Sequence, residues 1–147
     1  MAISTAERVP QHTAPHVNRR ISRATQMRLA YFADHPEEIG ERLDELDEEW
    51  DIERAIEANA ATLALAGVAL GATADRRWLV LPGLVTAFLL QHAIQGWCPP
   101  VPVLRRLGFR TADEIDRERY ALKGLRGDFR AVDESGDRAA GALAAVE

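Results

Sequence analysis

Two apolar runs without a formal charge, Ala58–Ala74 and Trp78–Leu104, stand back to back in the chain, parted by Asp75-Arg76-Arg77. A helix that crosses a bilayer needs about 20 mostly apolar residues, with a range of about 17–25. Ala58–Ala74 lies at the short end of that range and Trp78–Trp97 near its middle. As helices they extend roughly 25 and 30 Å, at about 1.5 Å per residue. The link Thr73–Arg77 has room only for a turn, so the pattern predicts an antiparallel hairpin. That topology sets depth. Asn59 and Thr62 lie about as far before the link as Gln91, His92 and Gln95 lie after it. These five polar residues are expected to meet near one membrane surface, where they satisfy one another or reach headgroups, since polar groups in lipid are costly unless paired. Pro82 falls in the first turn of the second helix, where it does least damage.

The first run also carries a face of small residues. Ala60, Ala64, Gly67 and Gly71 fall at i, i+4, i+7 and i+11. In lipid such a face lets another helix approach closely, so these four are the predicted helix-packing residues and point to a homo-oligomer formed through the hairpin. Trp78 and Trp97 bracket the second span as interfacial aromatics do, and with Arg105 and Arg106 they are the predicted membrane-boundary residues.

The flanks read differently. Ile21–Phe32 has the spacing of a short helix. Asp34-His35-Pro36-Glu37-Glu38 is a helix start, with proline and glutamates in the first turn. Ile39, Leu43, Leu46 and Trp50 then make one apolar stripe on an acidic helix, the pattern of a solvated helix packing on its neighbours or docking a partner. Beyond the hairpin, Val103–Gly108 reads as a short basic connector. Thr111-Ala112-Asp113-Glu114 has capping-box spacing and opens an amphipathic helix to about Lys123, stopped by Gly124 and Gly127. Its arginines are placed to contact anionic lipid. Met1–Arg20, with Pro10 and Pro15 and no apolar core of a secretory signal, reads as a disordered leader, and the Ala/Gly-rich stretch from Ala131 as a disordered tail.

The predicted class is therefore all-α: a two-helix transmembrane hairpin flanked by amphipathic cytoplasmic helices and disordered termini. The segments are a leader (1–20), an acidic amphipathic helical segment (21–57), the hairpin (58–98), a basic connector with an amphipathic helix (99–130) and a tail (131–147).

Composition changes this picture only once it is resolved along the chain. The 147 residues carry a net charge of −5, with 28% charged residues and a mean hydropathy of −0.20, which taken alone describes a soluble domain. The average hides a net of +4 over residues 1–33, −10 over 34–57, +1 over 58–104, +3 over 105–130 and −3 beyond. No block is basic enough to argue for nucleic acid. Arginines at the outer ends of the spans (Arg54, Arg105, Arg106, Arg110) outnumber those in the link (Arg76, Arg77), which favours both termini in the cytoplasm.

Chemistry has few candidates. One cysteine excludes an intramolecular disulfide framework, and no Cys/His spacing resembles a zinc site. His12 and His16 are four apart, but Pro15 between them argues against a helix that would present both to a metal. Cys98 is the candidate for a reactive centre. It is read as a small semi-buried residue at the membrane boundary, or as a thiolate activated by Arg105 and Arg106. His92, six residues back, is about 600° away on a helix and does not share its face. No catalytic residue, cofactor or metal is assigned.

Glu53-Arg54 before a small-residue helix, a short link, a second apolar helix ending in Gly96-Trp97-Cys98-Pro99, and then Leu107-Gly108-Phe109-Arg110-Thr111 together resemble the YgaP-like inner-membrane domain family. The resemblance covers about Asp51–Thr111. Its hallmark is a Gly-x-Cys-Pro run at the end of the second helix and then a Leu-Gly-x-x-Thr element. It implies a two-helix membrane hairpin in a bacterial-type inner membrane. Pro100 and the long charged flanks depart from the family pattern. The flanks leave no space for the rhodanese domain that some members carry, so sulfurtransferase activity is not carried over. Three function classes fit these features: a non-enzymatic membrane protein with an assembly or scaffold role, whose partner is the bilayer; a membrane sulfur-handling protein using Cys98 as a persulfide or redox centre; and a soluble helical interaction module.

Overall fold

The computed structural model describes residues 8–130, 132 and 138–146, and all elements among them are helical. The α-helices are α1 (Pro15–Asp34), α2 (Ile39–Glu48), α3 (Ile52–Thr73), α4 (Val80–Gln95), α5 (Val101–Leu107), α6 (Ala112–Arg126) and α7 (Arg138–Val146). Short 3-10 turns at Val9–His12, Pro36–Glu38 and Arg76–Leu79 precede α1, α2 and α4. The chain divides into two units. One comprises residues up to Arg19 with Trp50–Asp113, the other Arg20–Glu49 with the chain from Glu114.

In the first unit, α3 and α4 pack antiparallel. Asp51 caps α3, its Oδ1 accepting the Arg54 N–H at 2.6 Å. Asp75 does the same for the next turn, accepting from Arg77 N–H at 2.8 Å. These side chains satisfy backbone donors that helix starts leave open, Asp51 for α3 and Asp75 for the 3-10 turn that leads into α4. The contact is tightest at Gly67, where an added Cβ would lie 2.5 Å from Pro82 Cδ, and at Gly71, where it would lie 2.6 Å from Leu79 Cδ2. The small-residue face thus closes at both glycines on the chain's own following segment, in the place where a second copy was one expected occupant. Ala60 and Ala64 share that face and are half-buried.

The depth-matched polar residues do not satisfy one another across the pair. Asn59 donates to Ala55 O and Thr62 to Ala58 O, while Gln91 reaches Gln95 on its own helix. A hydroxyl or amide near its own preceding turn finds a carbonyl without needing a neighbouring helix.

Around the far end of the pair, Val9, Ile52, Ile56, Cys98 and Val101 form a buried cluster, with Leu89, Leu104 and Phe109 against it. Gly96 ends α4 with φ 72°, and a Cβ there would lie 2.5 Å from Arg8 Cβ, so the N-terminal segment passes directly over the helix end. Arg8 donates to Ile94 O in the same place. The leader therefore departs from the expected disorder over residues 8–20: Val9 is fully buried and α1 starts at Pro15. Residues 1–7 lie outside the described residues. The connector is likewise a helix, α5, with Pro102 in its first turn and Gly108 (φ 103°) at its end.

The second unit buries Phe32, Ile39, Leu43, Leu46, Ile115 and Leu122, with Leu29 against them. The α2 stripe is a core face, as its period indicates. It ends before Trp50, which is 46% exposed, with the Arg54 guanidinium 4.4 Å from its ring centre in the first unit. α6 continues past Gly124 to Arg126 and stops at Gly127, φ 91°. The expected disordered tail contains α7, although residues 131, 133–137 and 147 lie outside the described residues.

Two stretches are long and apolar enough to cross a membrane by length and composition, one within Pro36–Thr73 and one at Arg76–Gln95. Only 22% and 6% of their apolar windows are buried.

Candidate functional site

α3 enters with Glu53 and Glu57 four residues apart, on one face of its first two turns. α4 closes with Leu89, His92 and Ala93 at i, i+3 and i+4. Because the helices run antiparallel, these two faces meet and line a cavity of about 330 Å³. His92 is 5% exposed, and neither of its ring nitrogens has a hydrogen-bond partner. Both carboxylate oxygens of Glu53 are buried and equally without one. Four orphaned polar atoms at one cavity are unusual, because each buried polar group left unsatisfied costs about 1–3 kcal/mol.

Glu53 lies before the apolar run begins. Its burial pushes the carboxyl above the usual carboxylate range, helped by the charges of Asp51 and Asp113. The backbone N–H groups of Glu53 and Ala112 pull the other way, less strongly than burial. Glu57 is exposed at the rim of the same cavity. The site is rich in acceptors and carries two carboxylates, so it suits a donor with positive charge. Among the described residues no group of three or more His, Cys, Asp or Glu side chains is arranged to hold a metal ion.

Cys98 is not part of this cavity. It is 2% exposed, within the apolar cluster at Val9, Ile52, Ile56 and Val101. Burial pushes its thiol up, against a smaller opposing pull from the Val101 N–H. The expected activation by Arg105 and Arg106 does not lower it. The Arg105 guanidinium is fully buried and turned to other partners: Asn18 Oδ1 at 2.9 Å, Phe109 O at 3.0 Å and Thr13 Oγ1 at 3.2 Å. Arg105 is an internal cation, not a boundary residue facing headgroups. Arg106 and Trp78 are exposed and Trp97 is half-buried, while His12 and His16 are both exposed.

This has a measurable consequence for the thiol. A maleimide is expected to modify Cys98 at least about tenfold more slowly in the folded chain than after unfolding in dodecyl sulfate, because the thiolate is the reacting form and the site is closed. A group held above its ordinary value stays protonated to higher pH. The folded-state rate should therefore stay low near neutrality and climb only above the free thiol's value of about 8.5. Rapid labelling of the folded chain at neutral pH would contradict the burial seen here.

The Glu53–His92 meeting is within reach of the sequence. The register that matches Asn59 with His92 and Gln95 also carries Glu53 and Glu57 to the last turn of α4, and extending the depth argument one helical turn back finds them. No protein-family model, curated protein or solved structure matches this chain.

Proposed function

We propose that the chain is a small integral membrane protein of a bacterial-type inner membrane, non-enzymatic, with an assembly or scaffold role. In this reading α3 and α4 cross the bilayer as a hairpin, and the segments before α3 and after α4 emerge on the cytoplasmic side. The carrying observation is an inverted distribution of polarity in the first unit. Leu65 and Val80 are 71% exposed and Leu90 62%, whereas Arg105 and Thr111 are fully buried. In water this arrangement gives up the main driving force of folding, and soluble monomers rarely expose apolar patches beyond a few hundred Å². In lipid the same surface is at its lowest free energy, and arginine is best placed inside the protein among hydrogen-bond partners.

The same exposures argue against a soluble interaction module. The burial of Cys98 gives a sulfur-handling role no accessible nucleophile. The resemblance of Asp51–Thr111 to the YgaP-like domain family supports the membrane reading. With Gly67 and Gly71 already engaged within the hairpin, a second copy would have to pack on the outward faces that carry Leu65, Val68 and Leu90.

Expressed in bacteria, the chain is expected to remain in the membrane pellet after washing at high pH and to be released only by detergent. Recovery mainly in the alkaline supernatant would defeat the proposal.

A further inference from the structure

The cavity between α3 and α4 has three acceptor side chains and no cation of its own. Glu53 brings two orphaned oxygens, His92 brings a buried ring with both nitrogens unpartnered, and Glu57 stands at the open rim. Leu89 and Ala93 supply an apolar wall. The volume, about 330 Å³, is at the small end of the range of ligand pockets. Three acceptors around a net negative site call for a cation with several N–H donors. A primary ammonium carries three such donors and no acceptor. A quaternary ammonium carries the charge without the donors, and a metal ion would need a ligand arrangement that is absent among the described residues.

We propose that this cavity takes a primary ammonium group, with Glu53, Glu57 and one ring nitrogen of His92 as its acceptors, and with an ethanolamine lipid headgroup as the source. The lipid source rests on the membrane reading above. Glu53 and Glu57 lie just before the apolar run that starts at Ala58, which is the headgroup level if α3 crosses the bilayer. The carbon atoms next to the ammonium would then lie against Leu89 and Ala93. Binding supplies donors to the Glu53 oxygens and to the acceptor nitrogen of His92, which are otherwise buried and orphaned, so the ligand recovers part of a cost already present in the empty site.

The test uses the purified full-length chain in detergent, offered phosphatidylethanolamine and phosphatidylcholine in equal amounts, with retained lipid read by native mass spectrometry. A preference for phosphatidylethanolamine of about tenfold is expected, the value of one hydrogen bond to a charged group. Glu53→Gln and His92→Phe should each abolish most of it. Glu57→Gln alters only an exposed rim residue, so it keeps the test open if the buried variants fail to fold, and it too should weaken the preference. A second arm measures the thermal midpoint with free ethanolamine against choline. Protection by ethanolamine alone, without lipid preference, supports the ammonium site and assigns it to a free amine. Absence of preference in both arms overturns the proposal, as does a preference that survives all three substitutions. Release of the chain from membranes at high pH would defeat the membrane reading, while the free-amine arm would still report on the cavity.

Discussion

Replacing Arg105 by methionine is expected to lower the stability of the chain by about 3–5 kcal/mol, from the orphaned partners that remain. The side chain is fully buried, and its guanidinium serves Asn18 Oδ1, Phe109 O and Thr13 Oγ1. Methionine fills a similar length but gives these acceptors nothing. Thr13 keeps its own bond to Val9 O at 2.8 Å, so the larger losses fall on Asn18 and on the Phe109 carbonyl. Those partners tie together three parts of the chain: the N-terminal segment, the start of α1 and the stretch after α5. The loss is therefore expected to loosen the N-terminal segment specifically, including the passage of Arg8 over Gly96. Thermal unfolding in detergent measures the first effect, and limited trypsin cleavage near the N-terminus the second. Arg105→Lys should recover only part of the loss, because an ammonium cannot reach three acceptors with the geometry of a planar fork. An unchanged midpoint for Arg105→Met would show that the buried guanidinium adds nothing net.

Arg105 also shows where sequence reasoning stops. In the run Leu104-Arg105-Arg106-Leu107 the two arginines look alike, and a basic pair after a span reads as a boundary. Only one is buried, and the partners that decide which, Thr13 and Asn18, lie 92 and 87 residues away. No local period encodes a contact at that separation. The α2 stripe is the opposite case. Ile39, Leu43 and Leu46 follow the 3.6-residue period, and all three are buried. The stripe fails only at Trp50, where α2 has ended and Asp51 caps α3.

The prolines divide in the same way. Pro36 and Pro82 stand in first turns, as their surroundings predict. Pro10 and Pro15 suggest disorder by composition, yet Pro15 is the first residue of α1 and Pro10 sits early in a 3-10 turn. Proline at a helix start loses no hydrogen bond, so a proline before a run such as Val17–Ile21 marks a beginning as readily as a break. The tail is a related case. Alanine is the best helix former, and Arg138–Val146 contains five alanines among nine residues. At the candidate site each residue is visible in the sequence, but their meeting requires the register of α3 against α4. The short link supplies that register, and the close contact of Gly67 with Pro82 fixes it.

The second large effect is expected in the other unit, where Glu118→Leu should cost about 3 kcal/mol, the lower end of the penalty for removing one partner of a buried ion pair. Glu118 is fully buried on α6. It accepts from Arg28 Nε at 2.9 Å and Nη2 at 2.8 Å, and from Arg42 Nε at 3.0 Å. The carboxylate thereby joins α1, α2 and α6 around the core of Phe32, Leu43 and Leu122. Leucine leaves two guanidinium groups turned toward an apolar side chain. The figure is held at the lower end because both arginines have somewhere to go: Arg28 is one-third exposed, and Arg42 keeps Glu45 at 2.6 Å. Glu118→Gln retains an acceptor and the volume, and should lose less. The triple change Glu118→Leu, Arg28→Met and Arg42→Met removes the charges together and should regain much of the stability lost by Glu118→Leu alone, since the penalty comes from the abandoned partners more than from the missing attraction. Chemical unfolding monitored by circular dichroism distinguishes these cases. If the triple variant is less stable than the single one, the three charged groups are worth more together than their desolvation costs, and this cluster is a net source of stability for the unit.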